Sequence, residues 1–370
     1  MRYNLLILLT AAVLIQSCSR QDQQSPGADD NWPTDSIRVL KSNLNFPWEI
    51  LWGKDNFIWM TERGGKISKV DPKTGDIVFS TTLTDVVPNN EGGLLGMIQH
   101  PDFLKNGLFY VVYNYNSGGS YLEKLVQLKF ANNSIQTVAT LIDKIPGGSA
   151  HDGSRLWITN EAVPKLFMTT GEAYVQDNAQ LLTSLSGKIL RMNLDGSIPA
   201  DNPISGSPIW SFGHRNPQGL VMANGILYES EHGPDIEDEV NIIEKNRNYG
   251  WPTVMGPCST PGEIAFCNAN NVKEPIWSSG SVTFAGSGLD YYNNPRIPGW
   301  QNCLLLAELK DACLRVLSLS TDGKAVNKVQ VFFKNTYGRI RDICISPAGR
   351  VYLCTSNGGN TDVLVEISKP

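Results

Sequence analysis

The sequence contains six copies of one local pattern. In each copy, a turn rich in Gly, Pro, Asn or Asp precedes four or five apolar or β-forming residues, and polar residues follow: KDNFIWMTERG, LKNGLFYVVYN, AVPKLFMTTGE, ANGILYESEHG, GWQNCLLLAEL and PAGRVYLCTSN. The strands they predict begin at Ile58, Leu108, Leu166, Ile226, Cys303 and Val351. A repeat of about 50 to 80 residues suits a four-stranded blade with loops of variable length. The repeats therefore predict an all-β chain, a six-bladed β-propeller of four-stranded antiparallel sheets, with the repeated strand innermost in each blade.

Other features agree with this architecture. Several copies are followed by a second run of β-forming residues that ends at an Asp/Gly turn, as in GKISKVDPKTG, GKILRMNLDG and CLRVLSLSTDG. No segment beyond the first residues has a convincing helical periodicity, and 34 Gly and 21 Pro supply frequent turns. A β-sandwich or two stacked β-domains is the alternative, but neither predicts six similar units.

The first residues predict export. Residues 1–17 contain Arg2 and then an apolar run, which is typical of a signal peptide and too short for a spanning helix. Cys18 follows a small residue, as in a bacterial lipobox, so we expect it to be lipidated; an ordinary cleaved signal peptide is the alternative. Residues 18–36 then form a polar tether and residues 37–370 the propeller domain. The predicted product is an exported lipoprotein, attached to a bacterial membrane through its lipid alone, on the periplasmic or cell-surface side.

The remaining six cysteines would lie in a compartment where disulfides persist. Cys258 and Cys267 flank a loop containing Pro and Gly and are the predicted pair. The pairing of the other four stays open, because a tight turn at Lys310 and Asp311 places Cys303 opposite about residue 318. The other members of this group are Cys313, Cys344 and Cys354.

Net charge −5 and a pI near 5.5 exclude a nucleic-acid footprint and make any local cluster of cations informative. Such a cluster is predicted where Lys310 follows the fifth repeat and Arg339 and Arg341 lie near the sixth, because residues two apart in a strand face the same side. These cations suit a ligand with several carboxylates. Scattered surface ion pairs are the alternative.

Three further segments concentrate polar residues outside any strand pattern. SFGHRNPQGL contains Arg215 and Asn216, and GGSAHDGSRLWI contains His151 in a Gly/Ser loop. SEHGPDIEDEVN places a Gly-Pro pair beside four carboxylates, which suits Ca²⁺ because this ion takes six to eight oxygen ligands. For SFGHRNPQGL the alternative is a capped turn with a surface Arg, and for SEHGPDIEDEVN it is a solvated acidic loop.

Together these segments resemble the soluble aldose dehydrogenases that depend on pyrroloquinoline quinone (PQQ), the glucose and sorbosone dehydrogenase family. The resemblance extends from about residue 38 to residue 369 and is carried by LNFPWEILWGKDNFIWMTERGGKI, EGGLLGMIQHPDF, AHDGSRL, SGKILRMNLDGSIPADNP, GHRNPQGL, SEHGPDIEDEVNII with NYGWP, GWQNCLLLAELK and GRIRDICISPAGRVYL. It implies oxidation of the anomeric carbon of an aldose to a lactone, with PQQ and Ca²⁺ as cofactors and an external electron acceptor.

The resemblance also implies a role for each matching residue. His151 would be the general base, and Arg215 would bind the quinone oxygen. The other residues that would hold PQQ are Asn216, Thr283, Lys310, Arg339 and Arg341. The carbonyls of Gly233 and Pro234 would ligate the Ca²⁺ that contacts PQQ, while Glu239 and Tyr249 match a second Ca²⁺ site.

The chain departs from the family pattern at a few positions. Glu91 and Glu172 replace a more usual Gln and Asp near the active-site mouth, where we expect them to contact substrate, and Gly286 replaces a common Pro. Two other functions remain possible on this fold. A non-catalytic propeller that binds a glycan or protein would not need His151 and the cations, and a Ca²⁺-dependent lactonase would need side-chain oxygens that converge on a central metal.

Overall fold

The computed structural model describes residues 36–369 and has six four-stranded antiparallel sheets arranged as the blades of a propeller. The predicted fold is confirmed. The predicted signal peptide, Cys18 and most of the tether lie outside the described residues. Within residues 36–369, no helix has the length and apolar composition needed to cross a bilayer.

Five blades are built from consecutive strands, ordered here from the channel outwards. The first has β2 (Pro47–Trp52), β3 (Ile58–Glu62), β4 (Lys66–Val70) and β5 (Ile77–Thr82). The second has β6 (Leu94–Gln99), β7 (Leu108–Ser117), β8 (Ser120–Ala131) and β9 (Ser134–Pro146). The third has β10 (Gly153–Ile158), β11 (Lys165–Thr170), β12 (Lys188–Asn193) and β13 (Ile209–Phe212). The fourth has β14 (Pro217–Ala223), β15 (Ile226–Glu231), β16 (Glu239–Ile242) and β17 (Trp277–Ser278). The fifth has β18 (Gly286–Tyr292), β19 (Cys303–Glu308), β20 (Cys313–Leu319) and β21 (Val326–Phe332).

The sixth blade joins the two ends of the described chain. It consists of β22 (Ile340–Ile345), β23 (Val351–Thr355), β24 (Asp362–Ile367) and, outermost, β1 (Ile37–Leu44). Strands β1 and β24 are antiparallel, with Ile37 opposite Ile367. The ring of sheets is thereby closed by hydrogen bonds between the earliest and latest strands.

The repeated pattern marks the second strand of each blade, so its predicted innermost position is wrong. The strands that contact one another around the channel are β2, β6, β10, β14, β18 and β22. Side chains such as Glu49, Arg155 and Asp342 interrupt the apolar runs of these inner strands. Each second strand is covered on both of its faces by the neighbouring blades, and every residue of β3 and β19 is buried. A continuous apolar run is typical of a strand covered on both faces.

Two short helices interrupt the β-structure. They were not predicted, because the sequence shows no convincing helical periodicity. They are α1 (Phe103–Asn106) and α2 (Pro261–Asn270), and residues Gln176–Ala179 form a 3₁₀ turn. Helix α2 buries none of its residues, so it has no apolar stripe for periodicity to reveal. Its start is stabilised by a capping box between Thr260 and Glu263.

The predicted disulfide between Cys258 and Cys267 is present, and it joins helix α2 to the loop before it. The four cysteines whose pairing stayed open are free and buried. Cys303 lies opposite Ser318, as the tight turn between β19 and β20 predicted. Cys313 lies at the other end of the same strand pair, opposite Glu308.

Candidate functional site

One mouth of the channel collects most of the predicted site residues. His151 and Arg215 lie two residues before the inner strands β10 and β14, and Arg339 directly precedes β22. Gly233 and Lys310 lie two residues after the second strands β15 and β19. Because the first and second strands of a blade are antiparallel, the start of one and the end of the other meet at the same edge. The loops at that edge form the mouth.

A pocket of about 260 Å³ opens at this mouth. The predicted site residues that line it are Glu91, His151, Arg215, Gly233, Pro234, Thr283, Lys310 and Arg339. His232, Asp235 and Ala285 complete the lining. A larger cavity of about 510 Å³ lies at the opposite mouth, and its lining includes none of the predicted site residues. The smaller pocket is the candidate active site, because the chemically distinctive side chains converge there.

His151 is held by the loop that follows β11. Its Nδ1 lies 2.5 Å from Oε1 of Glu172, whose side chain is 1 % exposed. Glu172 is therefore buried behind the imidazole and is absent from the pocket lining. This placement does not suit the predicted contact between Glu172 and substrate. With Nδ1–H donating to this carboxylate, Nε2 of His151 carries the free lone pair.

Arg215 is fixed at its backbone and its side chain. Its N–H donates to Oε2 of Glu231 (2.7 Å), and its Nη1 donates to the carbonyl of His232 (3.2 Å). The guanidinium also lies 5.2 Å from the ring centre of Trp251. Burial lowers the pKa of Arg215, although Glu172 and Glu231 oppose this shift. Its buried Nε has no partner among the described residues.

The cations predicted to act together are divided between two positions. Lys310 and Arg339 are exposed on the pocket lining. Arg341 is 1 % exposed and is absent from that lining, with Nη1 donating to Oε1 of Gln218 at 2.6 Å. Burial lowers the pKa of Arg341 to about 10, and the nearby charge of Arg339 acts in the same direction. The predicted shared face is wrong, because Arg339 precedes β22 whereas Arg341 lies within it, beside an irregularity in pairing.

Asn216 is likewise fully buried behind the pocket. Its Oδ1 accepts from the backbone N–H of Gly153 (3.2 Å), and its Nδ2 has no partner among the described residues. The buried Nε of Arg341 and Nε2 of His232 also have none. Unpaired buried donors cost free energy. Together with the free Nε of Arg215, they fit a ligand rich in acceptor oxygens, such as PQQ.

Asp238 organises two walls of the pocket, a role that sequence reasoning missed. It accepts from the N–H of Gly233 (2.9 Å), from the hydroxyl of Thr283 (2.9 Å) and from the N–H of Ala285 (2.8 Å). These donors occupy the carboxylate, and burial raises its pKa. The sequence signal was the acidic run itself, which contains Asp238 but does not reveal which carboxylate turns inward. His232, another lining residue that was missed, adjoins the predicted Gly233.

A second, much smaller cavity of about 10 Å³ adjoins the pocket near the predicted calcium ligands. Its lining includes Glu231, Glu237, Glu239 and Tyr249. Burial, followed by repulsion from Glu231, raises the pKa of Glu239 to about 8, and the buried Oε2 of Glu237 has no described partner. An enclosed, mutually repelling set of carboxylates fits a cation of Ca²⁺ type.

Only the backbone carbonyl of Tyr249 remains available to such an ion. Its hydroxyl donates to the carbonyl of Ile242 (2.6 Å) and accepts from the N–H of Glu244 (2.8 Å). At the pocket itself, a Cβ on Gly233 would lie 1.8 Å from the carbonyl oxygen of Ile236. Only glycine fits this tight turn, which brings several backbone oxygens together beside the pocket.

Comparison with known proteins identifies the family. Residues 44–365 match the Glucose / Sorbosone dehydrogenase family. The chain is 32 % identical to quinoprotein glucose dehydrogenase B of Acinetobacter calcoaceticus, covering 87 % of this chain and 86 % of the relative. It is 31 % identical to the aldose sugar dehydrogenase YliI of Escherichia coli K12, covering 87 % of this chain and 90 % of the relative.

Solved structures agree with this result. The PQQ-bound aldose sugar dehydrogenase of Streptomyces coelicolor superposes with a TM-score of 0.76 and 29 % identity, covering 90 % of this chain and 98 % of that one. The apo-form of the soluble aldose sugar dehydrogenase of Escherichia coli gives a TM-score of 0.76 and 30 % identity, with 89 % and 98 % covered. The chain belongs to the glucose/sorbosone dehydrogenase family of oxidoreductases, as its sequence motifs predicted.

Proposed function

We propose that this chain is a PQQ- and Ca²⁺-dependent aldose dehydrogenase that oxidises the anomeric carbon of a sugar to a lactone. The observation that carries the proposal is the convergence of four side chains in one pocket. They are the imidazole of His151, which is bonded to a buried carboxylate, and the cations of Arg215, Lys310 and Arg339. A relative named as a quinoprotein glucose dehydrogenase and a PQQ-bound structural neighbour support it.

His151 is the general base. Glu172 fixes the proton on Nδ1, so Nε2 can accept the proton of the anomeric hydroxyl. The carboxylate also stabilises the imidazolium that forms, because opposite charges attract strongly where water is excluded. Bound PQQ would supply the hydride acceptor, so loss of the proton to Nε2 and of the hydride from the anomeric carbon would together give the lactone.

The cations hold and polarise the cofactor. Lys310 and Arg339 bind its carboxylates from the pocket lining, and Arg215 donates to a quinone oxygen at which negative charge develops. Thr283 forms part of the same wall, and Asn216 and Arg341 act from the buried layer through their free donors. Glu91 lies among these cations and interacts with the charge of Arg341, so it limits the net positive charge of the pocket and borders the sugar.

Calcium acts at two places in this proposal. The carbonyls of Gly233 and Pro234 would hold one ion beside the pocket, and its positive charge would supply further stabilisation of negative charge there. Glu239 and the carbonyl of Tyr249 hold the second ion in the small adjoining cavity. This second ion offsets the repulsion among the buried carboxylates.

The cellular setting forms part of the proposal. Export with a lipid on Cys18 would attach the propeller to a bacterial membrane, on the periplasmic or cell-surface side. Sugar oxidation leaves the cofactor reduced, so an external electron acceptor must restore it in each cycle.

The test is titration of the purified, Ca²⁺-loaded protein with PQQ, followed by glucose and other aldoses, with absorbance reporting reduction of the quinone. Tight binding and sugar-dependent reduction are expected. The variant His151→Ala should bind PQQ as wild type does and fail to reduce it. Binding without reduction by any aldose would contradict the reaction. Absence of binding would favour the non-catalytic propeller.

A further inference from the structure

Three consecutive residues surround His151, and the third has no role in the reaction as described so far. Glu172 contacts Nδ1 of His151, and the N–H of Ala173 donates to the His151 carbonyl (3.0 Å). The ring of Tyr174 covers the imidazole, with ring centres 4.4 Å apart and an angle of 36° between the planes. The segment thus holds His151 by its side chain, its backbone and its ring.

The backbone of this segment adopts an unfavourable conformation. Ala173 has φ 54° and Tyr174 has φ 63°, both in the left-handed region that residues with a Cβ seldom occupy. His151 itself has φ 64°. Neighbouring contacts maintain this geometry, including the bond from the N–H of Glu172 to the Arg215 carbonyl (2.9 Å). Backbone strain of this kind concentrates at functional sites, where it fixes a side chain in an otherwise poorly populated direction.

Tyr174 is also unusually exposed for an aromatic residue that contacts a histidine bonded to a buried carboxylate. It is 58 % exposed, so one region of the ring contacts the imidazole and much of the rest faces solvent beside His151. The exposed part of the ring is therefore accessible to a ligand directly beside the proposed base.

We propose that Tyr174 is a positioning residue for His151 and forms the aromatic wall against which the apolar face of the sugar packs. The first role follows from the ring contact, which limits rotation of the imidazole away from Glu172. The second follows from the exposed aromatic surface beside the base, because sugars present C–H groups that pack on aromatic rings. This inference rests on the proposed dehydrogenase function and adds a residue that determines its sugar preference.

The experiment compares Tyr174→Ala and Tyr174→Phe with a matched control, Val175→Ala. Val175 is 53 % exposed and adjacent, and its N–H bond to the Glu172 carbonyl does not involve the side chain. Removing the ring should lower kcat/KM by about tenfold or more, with a higher KM and an altered ratio between a hexose and a pentose. Tyr174→Phe should retain most activity, and Val175→Ala should match wild type. All three should titrate with PQQ as wild type does.

A second measurement uses the protein without PQQ or sugar. The chain has four histidines, so NMR of their imidazoles can follow the Nδ1 proton of His151 after comparison with His151→Ala. Tyr174→Ala should speed the exchange of this proton with solvent, because the ring no longer keeps the imidazole against Glu172, whereas Val175→Ala should not. Unchanged kinetics and unchanged proton exchange in Tyr174→Ala would overturn the inference. Absence of sugar oxidation in wild type would instead refute the underlying function, and the NMR result would still decide whether Tyr174 positions His151.

Discussion

Replacing Glu172 with Gln tests the most specific contact of the proposed base. The carboxylate lies 2.5 Å from Nδ1 of His151 and is almost completely buried, so the substitution keeps the shape and removes one charge. The amide has two ways to meet the imidazole. Its oxygen can accept from Nδ1–H without charge, or its NH₂ can donate to Nδ1, which places the proton on Nε2 and removes the lone pair needed for catalysis.

The expected loss follows from the energy of a hydrogen bond to a charged group, about 1.5–3 kcal/mol. With about 1.4 kcal/mol for each tenfold change in rate, Glu172→Gln should lower kcat by about 10- to 150-fold. The assay is single-turnover reduction of bound PQQ by glucose, which separates the chemical step from electron transfer to the acceptor. PQQ affinity should change little, because Glu172 is absent from the pocket lining.

Glu172→Asp is the matched control because it keeps the charge and shortens the side chain by one methylene. It should be more active than Glu172→Gln, and its remaining deficit measures the cost of the longer distance to His151. A rate for Glu172→Gln within twofold of wild type would refute the reasoning, as would equal losses in the two variants. Either result would mean that the carboxylate does not assist proton transfer.

Three other perturbations test separate parts of the structure. Arg339→Ala should weaken PQQ binding by about 1.5–3 kcal/mol, measured by titration, because a charged hydrogen bond is lost. Burial raises the pKa of Asp290 to about 7. Between about pH 4 and pH 7 this carboxyl therefore binds more protons in the folded state than in the unfolded state, and the folded state loses stability as the pH rises. Asp290→Asn should therefore stabilise the protein by about 1–2 kcal/mol at pH 8 and less at pH 5 in denaturant unfolding; the opposite trend would contradict the assignment. Removing Ca²⁺ with EGTA should lower Tm by several degrees, and Glu239→Gln should reduce that change, because only the ion in the small adjoining cavity depends on this carboxylate.

The blade count could be predicted from the sequence because the second strand of each blade is buried on both faces. Most of its residues form a continuous apolar run, as at positions 303–307 of β19 (Cys303–Glu308), and such runs are visible without any tertiary information. The position of the repeated strand within its blade could not be predicted from the same pattern. Inner strands carry Glu49, Arg155 or Arg341 toward the channel, so they resemble ordinary polar segments until the ring is assembled.

The identity of the site residues could be predicted from the sequence more completely than how deeply each of them is buried. Motifs located His151, Arg215 and Lys310, which do meet at one mouth. Glu172 and Arg341 were expected at the surface of the pocket but are buried behind it, because an irregularity in strand pairing or a turn of the loop decides which way a side chain faces. Sequence spacing does not contain that information.

The pairing of β1 with β24 has a consequence for how the chain reaches its folded state. The ion pair between Arg38 and Glu366 joins residues 328 positions apart, and ordering a loop of this length costs about 5 kcal/mol in chain entropy. That contact can form only after residue 366 has been synthesised, and contacts so distant in sequence make folding slow. Until then, β1 lacks its partner strand and can pair with another chain. A nascent chain that lacks its last strand would therefore be prone to aggregation.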